Sequence, residues 1–158
     1  MAHKTERLQL DRYLPYRLSI LSNTVSAAIA RRHAEPHGLS VADWRLMAVL
    51  GLDQPLTQSE VCARTRMDKV QVSRAVARLL DLGLVGRVVD DADRRRAHLR
   101  LSPRGEAIYA EVAPATLDWE TRLLAGFSDR ERRTLDALVA KLQAAADELD
   151  AERSRNQA

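Results

Sequence analysis

Four times along this chain a small polar residue is followed, three positions later, by a carboxylate or an amide: "SVAD" (Ser40–Asp43), "TQSE" (Thr57–Glu60), "DKVQ" (Asp68–Gln71) and "SDRE" (Ser128–Glu131). The first N–H groups of a helix have no partner within it, so side-chain oxygens at these two positions let a helix start abruptly. The pattern therefore sets helix starts along the chain. The second and third starts are close together, which predicts two short helices, about 58–65 and 69–82, joined by a tight connection. Leu56 with Val61 and Met67 with Val72 have the spacing of hydrophobic staples that fix the entry angle of each. Gly83 stands where the second of them must stop.

Beyond that pair the chain alternates like strand. Leu84–Val89 and Ala97–Leu101 flank "DDADRRR", which reads as a hairpin with a charged tip. "SPRGE", with Ser102 as cap and Pro103 in the first helical position, then opens a helix to about Phe127, with Pro114 inside it. Before the pair lie a helix over about 15–32, with Leu14, Leu18, Leu21, Val25 and Ile29 at helical spacing, and a second over about 41–50. A last helix begins after Ser128 and carries Leu135, Leu138, Val139, Leu142 and Leu149 on one side. With 46% hydrophobic and 30% charged residues in 158, this predicts a folded, mainly α protein with a small β-wing. A single cysteine, Cys62, allows no disulfide within the chain, and its apolar helical setting suggests a structural role. The opening "MAHKTERLQLDRY" has no apolar core, and no stretch reaches membrane-span length, so a cytoplasmic location is expected.

A net charge of +3 says little about partners, but its distribution says more. Arg64 to Arg104 holds eleven Lys/Arg against five Asp/Glu, a local +6, leaving −3 for the rest. On the helix over 69–82, Val72, Val76, Leu79 and Gly83 fall within about 60° of one another and form the core face. The outward side at its N-terminal end is Lys69, Val70, Gln71, Ser73 and Arg74, with Ala77, Arg78 and Asp81 further along. Arginine can take guanine O6 and N7 bidentately, glutamine can pair with adenine and valine can pack on a thymine methyl, while Lys69 and Ser73 suit phosphates. Any solvated helix face carries some of these residues, so the hairpin matters. Behind a recognition helix in the major groove, a wing reaches the adjacent minor groove, whose potential attracts arginine. Asp93 has the spacing to hold Arg95 extended by an ion pair, with Arg94 or Arg96 on a phosphate.

The segment Met67–Gly105, with its capped "DKxxVSRxxxRL", the "GLV" entering the wing, the "DRR" tip and the "LRLSPRG" exit, resembles the core signature of the multiple antibiotic resistance regulator (MarR) family of bacterial winged-helix transcription factors. The resemblance spans nearly the whole chain. It implies a homodimer with residues 8–36 and 104–150 as the helical dimerisation region and 39–103 as the winged helix-turn-helix DNA-binding domain. It further implies a pseudo-palindromic double-stranded operator, with Lys69, Val70, Gln71, Ser73 and Arg74 in the major groove and Arg94 and Arg95 at the wing. A third tip arginine, Arg96, and "SPRG" in place of the commoner threonine version depart from the pattern and leave open which tip arginine enters the groove. The leucine stripe from Leu135 to Leu149 supports dimerisation independently, although packing on its own subunit would account for part of it.

The resemblance also implies a small-molecule effector, often an aromatic carboxylate or its thioester, bound between dimer helices and winged domain, with release of DNA and hence repression as the output. "LSNTVS" puts Ser22, Asn23, Thr24 and Ser26 inside an otherwise good helix, as a polar cavity or a close helix contact would require. Arg17 beside Tyr16 suits a carboxylate. With Tyr13, Ser22, Asn23 and Trp44, these two form the candidate effector set. "LPYRLSILSNTVS" resembles a branch associated with phenylpropanoid and aromatic-acid catabolism, which points to hydroxycinnamate-like acids or their coenzyme A thioesters. A ligand-independent or activating regulator and a sequence-indifferent architectural DNA-binding protein are the alternatives. An enzyme is not expected: there is no glycine-rich phosphate loop, no Ser/His/Asp set and no paired cysteines. No cofactor or metal is expected either, since Pro36 and the helix end break the spacing that would aim His33, Glu35 and His37 at one ion.

Overall fold

The computed structural model describes residues 8–89 and 97–156. In chain order the elements are α1 (Leu14–Ile29), a π turn (Ala30–Ala34), a 3-10 turn (Glu35–His37), α2 (Val41–Leu52), β1 (Leu56–Thr57), α3 (Gln58–Thr65), α4 (Lys69–Asp81), β2 (Val85–Val89), β3 (Ala97–Leu101), α5 (Pro103–Leu123) and α6 (Asp129–Arg155). The mainly α architecture with a small β-wing is the one expected. The chain divides into two compact units at Leu117–Asp118, and α5 runs through the division.

The first unit is built around α2. Trp44, Leu46, Met47 and Leu50 are buried there, and they pack with Val61 of α3, Val72, Ala75, Val76 and Leu79 of α4, and Leu84, Val85, Leu99 and Leu101 of the hairpin. Val112 of α5 belongs to the same core, with Ile108, Tyr109 and Ala113 against it, so this part of α5 packs with the winged segment. The Tyr109 ring lies on Trp44, centroids 6.0 Å apart, and so close to Gly51 that a Cβ there would overlap it. The strands are antiparallel in the order β1-β3-β2, with Leu56 opposite Leu99, Val85 opposite Leu101 and Val89 opposite Ala97. β1 was not expected: two residues leave no alternation to read, and Leu56 both pairs with β3 and is buried beside α3.

On α1, Leu14, Leu18 and Leu21 of the leucine repeat are exposed, while Ile29 and the adjoining Ala30 and Ala34 reach the core. The regular helix ends at Ile29, three residues before the expected end. The chain then widens into the π turn and closes at Gly38, φ +74°, where Leu39 N–H returns to the Ala34 carbonyl at 3.1 Å.

In the second unit Ser128 and Glu131 form a complete capping box at the start of α6, and Arg132 closes the end of α5 by donating to the carbonyls of Leu124 (2.8 Å) and Phe127 (3.1 Å). The residues of the stripe on α6, Leu135, Leu138, Val139, Leu142 and Leu149, are all exposed. No helix among the described residues is long and apolar enough to cross a membrane.

Candidate nucleic-acid interface

α3 and α4 form a helix-turn-helix whose geometry is fixed from both ends. At the start of α3, Glu60 N–H donates to Thr57 Oγ1 (3.3 Å), and Glu60 accepts from the Thr57 amide and hydroxyl, both at 2.7 Å. Three residues connect the helices. Arg66 takes the left-handed conformation, φ +55°, that ends α3, and the Met67 amide donates to Thr65 Oγ1 at 3.3 Å. Asp68 then accepts from the Gln71 amide at 2.7 Å. All four residues with staple spacing, Leu56, Val61, Met67 and Val72, are buried in the core.

The capping bonds have a consequence in pH. The bond from the Thr57 amide, followed by that from its hydroxyl, favours ionised Glu60 and holds its pKa below the ordinary 4.5. The unfolded chain then binds more protons than the native one between the two values. This cap's contribution is therefore complete above the ordinary Glu value and is lost as pH falls through the lowered one. Thermal melts at stepped pH should show a shallower acid-side decline for Glu60→Gln; a decline as steep as that of the wild type would remove Glu60 from the account.

α4 presents two faces. Val72, Ala75, Val76 and Leu79 are buried, whereas Lys69, Val70, Gln71, Ser73 and Arg74 are all exposed at its first turns, as the helical spacing predicts. Val70, 59% exposed, is an aliphatic side chain held out in water on a helix whose other valines are buried. A cleft of about 340 Å³ lies between this helix and the start of α2, lined in part by Asp43, Arg45, Gln71, Arg74 and Arg78. Arg78, which the wheel leaves on the outward side, turns to the protein: Nε lies 3.0 Å from Asp43 Oδ2 and Nη2 donates to the Gly38 carbonyl at 2.6 Å. No local sequence pattern points to that partner, which lies far back in the chain.

The wing grows out of the end of α4. Gly83, φ +67°, donates to the Leu80 carbonyl and Leu84 to that of Leu79, both at 2.9 Å, a Schellman stop that turns the chain into β2. "LSPRG" ties the exit back to this stop. Ser102 Oγ donates to the Gly83 carbonyl (2.7 Å) and accepts from the Gly105 amide (3.0 Å), while Arg104 Nη1 donates to the Leu82 carbonyl (3.0 Å). Gln54 reaches in from beyond α2, accepting from the Leu101 amide at 2.8 Å. The base of the hairpin is thus bonded to the loop after α2, to the turn that ends α4 and to the start of α5. Arg87 and Arg100 are exposed on its strands, two cations the sequence reading did not single out. The tip residues Asp93, Arg94, Arg95 and Arg96 lie outside the described residues.

Comparison with known proteins bears on this arrangement. A sequence model of the MarR family matches residues 37–96, which hold α2, α3, α4 and β2 and end before β3. A probable transcriptional regulator from Pseudomonas aeruginosa is 31% identical, over 85% of this chain and 99% of its own, with a TM-score of 0.71. The chain belongs to the MarR family. A MarR/EmrR family regulator from Acinetobacter sp. ADP1 has the same fold at a TM-score of 0.82 and 22% identity, over 89% of this chain and 99% of its own. So does PcaV of Streptomyces coelicolor, crystallised in complex with its natural ligand, at 0.75 and 20%, over 90% and 99%. This MarR-family protein is a DNA-binding transcriptional regulator and not an enzyme.

The structure separates this MarR-family regulator's six candidate effector residues. Tyr16 and Arg17 line a groove of about 330 Å³ on the exposed side of α1, with Asp11, Ile20, Leu21 and Thr24. Tyr13, Ser22 and Asn23 are exposed on or beside α1 but do not line it. Trp44 is buried and stacked on Tyr109, away from the groove lining. Of the polar insertions in α1, Ser26 accepts from Arg45 Nη2 at 2.8 Å, a close helix contact, and Thr24 donates back to the Ile20 carbonyl at 2.9 Å. His37, one of the three residues whose spacing argued against a metal site, lies 3.2 Å from Glu111, and no group of three or more metal-ligating side chains occurs among the described residues.

Proposed function

We propose that this MarR-family regulator is a homodimeric repressor that sets one α4 in each of two major grooves of a pseudo-palindromic operator and leaves it when a small aromatic acid, or its coenzyme A thioester, binds. The observation that carries the reading is the outward face of α4, where Lys69, Val70, Gln71, Ser73 and Arg74 stand together in water on a helix fixed by its cap and its buried opposite face. Arg74 is assigned to a guanine edge, Gln71 to adenine, Val70 to a thymine methyl, and Lys69 and Ser73 to phosphates. The wing tip between Val89 and Ala97 is assigned to the neighbouring minor groove and backbone, with Asp93 holding Arg95 extended and Arg94 or Arg96 on a phosphate. Residues 39–103 form the DNA-binding part, and 8–36 with 104–150 the dimerisation region, supported by the uncovered apolar faces of α1 and α6.

For the effector the support is the α1 groove, in which the cationic Arg17 and the ring of Tyr16 lie beside apolar Ile20 and Leu21. In support, PcaV, which shares this fold, was crystallised in complex with its natural ligand. An open groove on the helix that carries the first uncovered apolar face is suited to couple ligand binding to the disposition of the two subunits.

The test is fluorescence anisotropy with a duplex selected from random sequence by the wild-type chain and a scrambled duplex of equal length. Arg74→Ala should weaken binding to the selected duplex by about 1–3 kcal/mol and relax its preference. Equal loss on both duplexes would assign Arg74 to phosphate, and a wild-type chain without preference would favour architectural binding. Hydroxycinnamic acids or their thioesters added to the wild-type complex should release the duplex; complexes indifferent to all of them would count against the effector class.

A further inference from the structure

Arg78 stands one helical turn beyond Arg74 on the side of α4 away from the core, the place of a second DNA-contacting arginine. Its guanidinium instead spans two groups of a different part of the chain. Nε pairs with Asp43 Oδ2 at 3.0 Å, and Nη2 donates to the Gly38 carbonyl at 2.6 Å. Asp43 is 1% exposed and is the capping residue of α2: its Oδ2 also accepts from the Ser40 amide at 2.8 Å. One carboxylate oxygen therefore fixes the start of α2 and holds α4. Gly38 is the left-handed residue that closes the turn before α2, so the second bond goes to backbone that is itself fixed.

Beside this tie the cleft of about 340 Å³ opens on the outer side of the two helices, whose inner faces are packed in the core, and its lining includes Gln71 and Arg74. Close packing transmits position from one element to the next, and an open cleft removes it along that side of α4. On that side α4 is held by the fork between Asp43 and Gly38, which adds to the buried Val72, Ala75, Val76 and Leu79 of its inner face. A planar guanidinium with several donors in fixed directions sets an angle as well as a distance, which a lysine ammonium on a flexible stem does not.

We propose that Arg78 is a positioning residue for sequence recognition: through Asp43 and Gly38 it sets the angle at which α4 offers Gln71 and Arg74 to the bases, and it makes no contact with DNA. This rests on the reading of α4 as the recognition helix. Bidentate base contacts tolerate little misplacement, whereas attraction to phosphates survives a tilted helix. Losing the tie therefore costs discrimination rather than affinity in general.

The experiment measures full-length wild type, Arg78→Ala, Arg78→Lys and Asp43→Asn on a duplex selected by the wild type and on a scrambled duplex, each across a salt series. With Arg78→Ala, the preference for the selected duplex should fall on the order of tenfold, the size of one lost bidentate reading. Affinity for the scrambled duplex and its salt slope should stay at wild-type values. Arg78→Lys should not restore the preference. Asp43→Asn, at a site buried away from DNA, should reproduce the loss. A salt slope reduced by about one for Arg78→Ala would make Arg78 a phosphate ligand and overturn the proposal. So would an unchanged preference in either Arg78→Ala or a folded Asp43→Asn. Arg78 is half exposed, so its alanine variant keeps the test decisive if Asp43→Asn does not fold, and a merely destabilised chain would lose both duplexes in proportion. If the wild type itself shows no preference, the recognition-helix reading fails instead.

Discussion

Gly105→Ala should be among the most damaging single methyl additions in this regulator, lowering stability by about 3 kcal/mol or more and the melting temperature on the order of 10 °C. Gly105 is buried in the first turn of α5, and a Cβ there would overlap the Leu84 carbonyl oxygen, an atom already accepting from the Ser102 amide at 2.9 Å. Leu84 is held in turn by the Schellman bond to Leu79 and by its buried side chain, so neither partner can withdraw. Helix propensity alone would favour alanine by up to about 1 kcal/mol, which makes the sign of the result a test of the contact. Gly86→Ala is the control: nothing lies within 4 Å of its added methyl, and its melting temperature should stay near that of the wild type. Calorimetry of the two variants decides the matter, and a Gly105→Ala chain as stable as Gly86→Ala would show that α5 does not sit closely on the wing base. Because the same turn holds Ser102 and Arg104 against the end of α4, loss of DNA binding should accompany the loss of stability.

That contact also shows where sequence is a good guide and where it is not. Helix starts were legible because a cap is a local device: Ser40 with Asp43, Thr57 with Glu60 and Ser128 with Glu131 satisfy each other across three residues, and no distant part of the chain is needed. The faces of α4 were legible for a similar reason, since burial of Val72, Val76 and Leu79 comes from a fixed turn per residue. Direction across space was not. Arg74 and Arg78 are equivalent on a helical wheel, and only the fold reveals that one meets Asp43 and Gly38 while the other faces water. Nor does the local sequence say what covers Trp44, whose stacking partner, Tyr109, lies far along the chain. The repeat along α1 is a third case. Leu14, Leu18 and Leu21 have the period of a buried face, and period cannot say whether the burying surface belongs to the same chain.

For α6 that last question has a direct answer in solution. On the proposed homodimer, Leu138→Glu combined with Leu142→Glu should convert two chains to one, and binding to the proposed two-half-site operator should fall with it by about a thousandfold. Leu138 is 55% exposed and Leu142 42%, on a helix whose other apolar positions, Leu135, Val139 and Leu149, are also uncovered. Burying one leucine contributes about 1.5–3 kcal/mol, and each subunit would lose two such contributions while placing carboxylates in an apolar seam. Every 1.4 kcal/mol is about tenfold in the dissociation constant, so a loss near 4 kcal/mol suffices to leave single chains at micromolar concentration. A single chain engages one half-site and forgoes the gain from linking the second, which is why operator affinity should fall more than affinity for an isolated half-site. The exposed positions make misfolding an inadequate explanation of such a result, since glutamate is a good helix former and displaces nothing from the chain's own core. Sedimentation equilibrium gives the mass, and circular dichroism confirms that the helices persist. If the double variant stays a dimer with wild-type operator affinity, the stripe on α6 is not the seam and another surface must join the subunits. If the wild type sediments as a single chain, the homodimeric repressor is wrong, and the arginines of the wing and the face of α4 must serve DNA one half-site at a time.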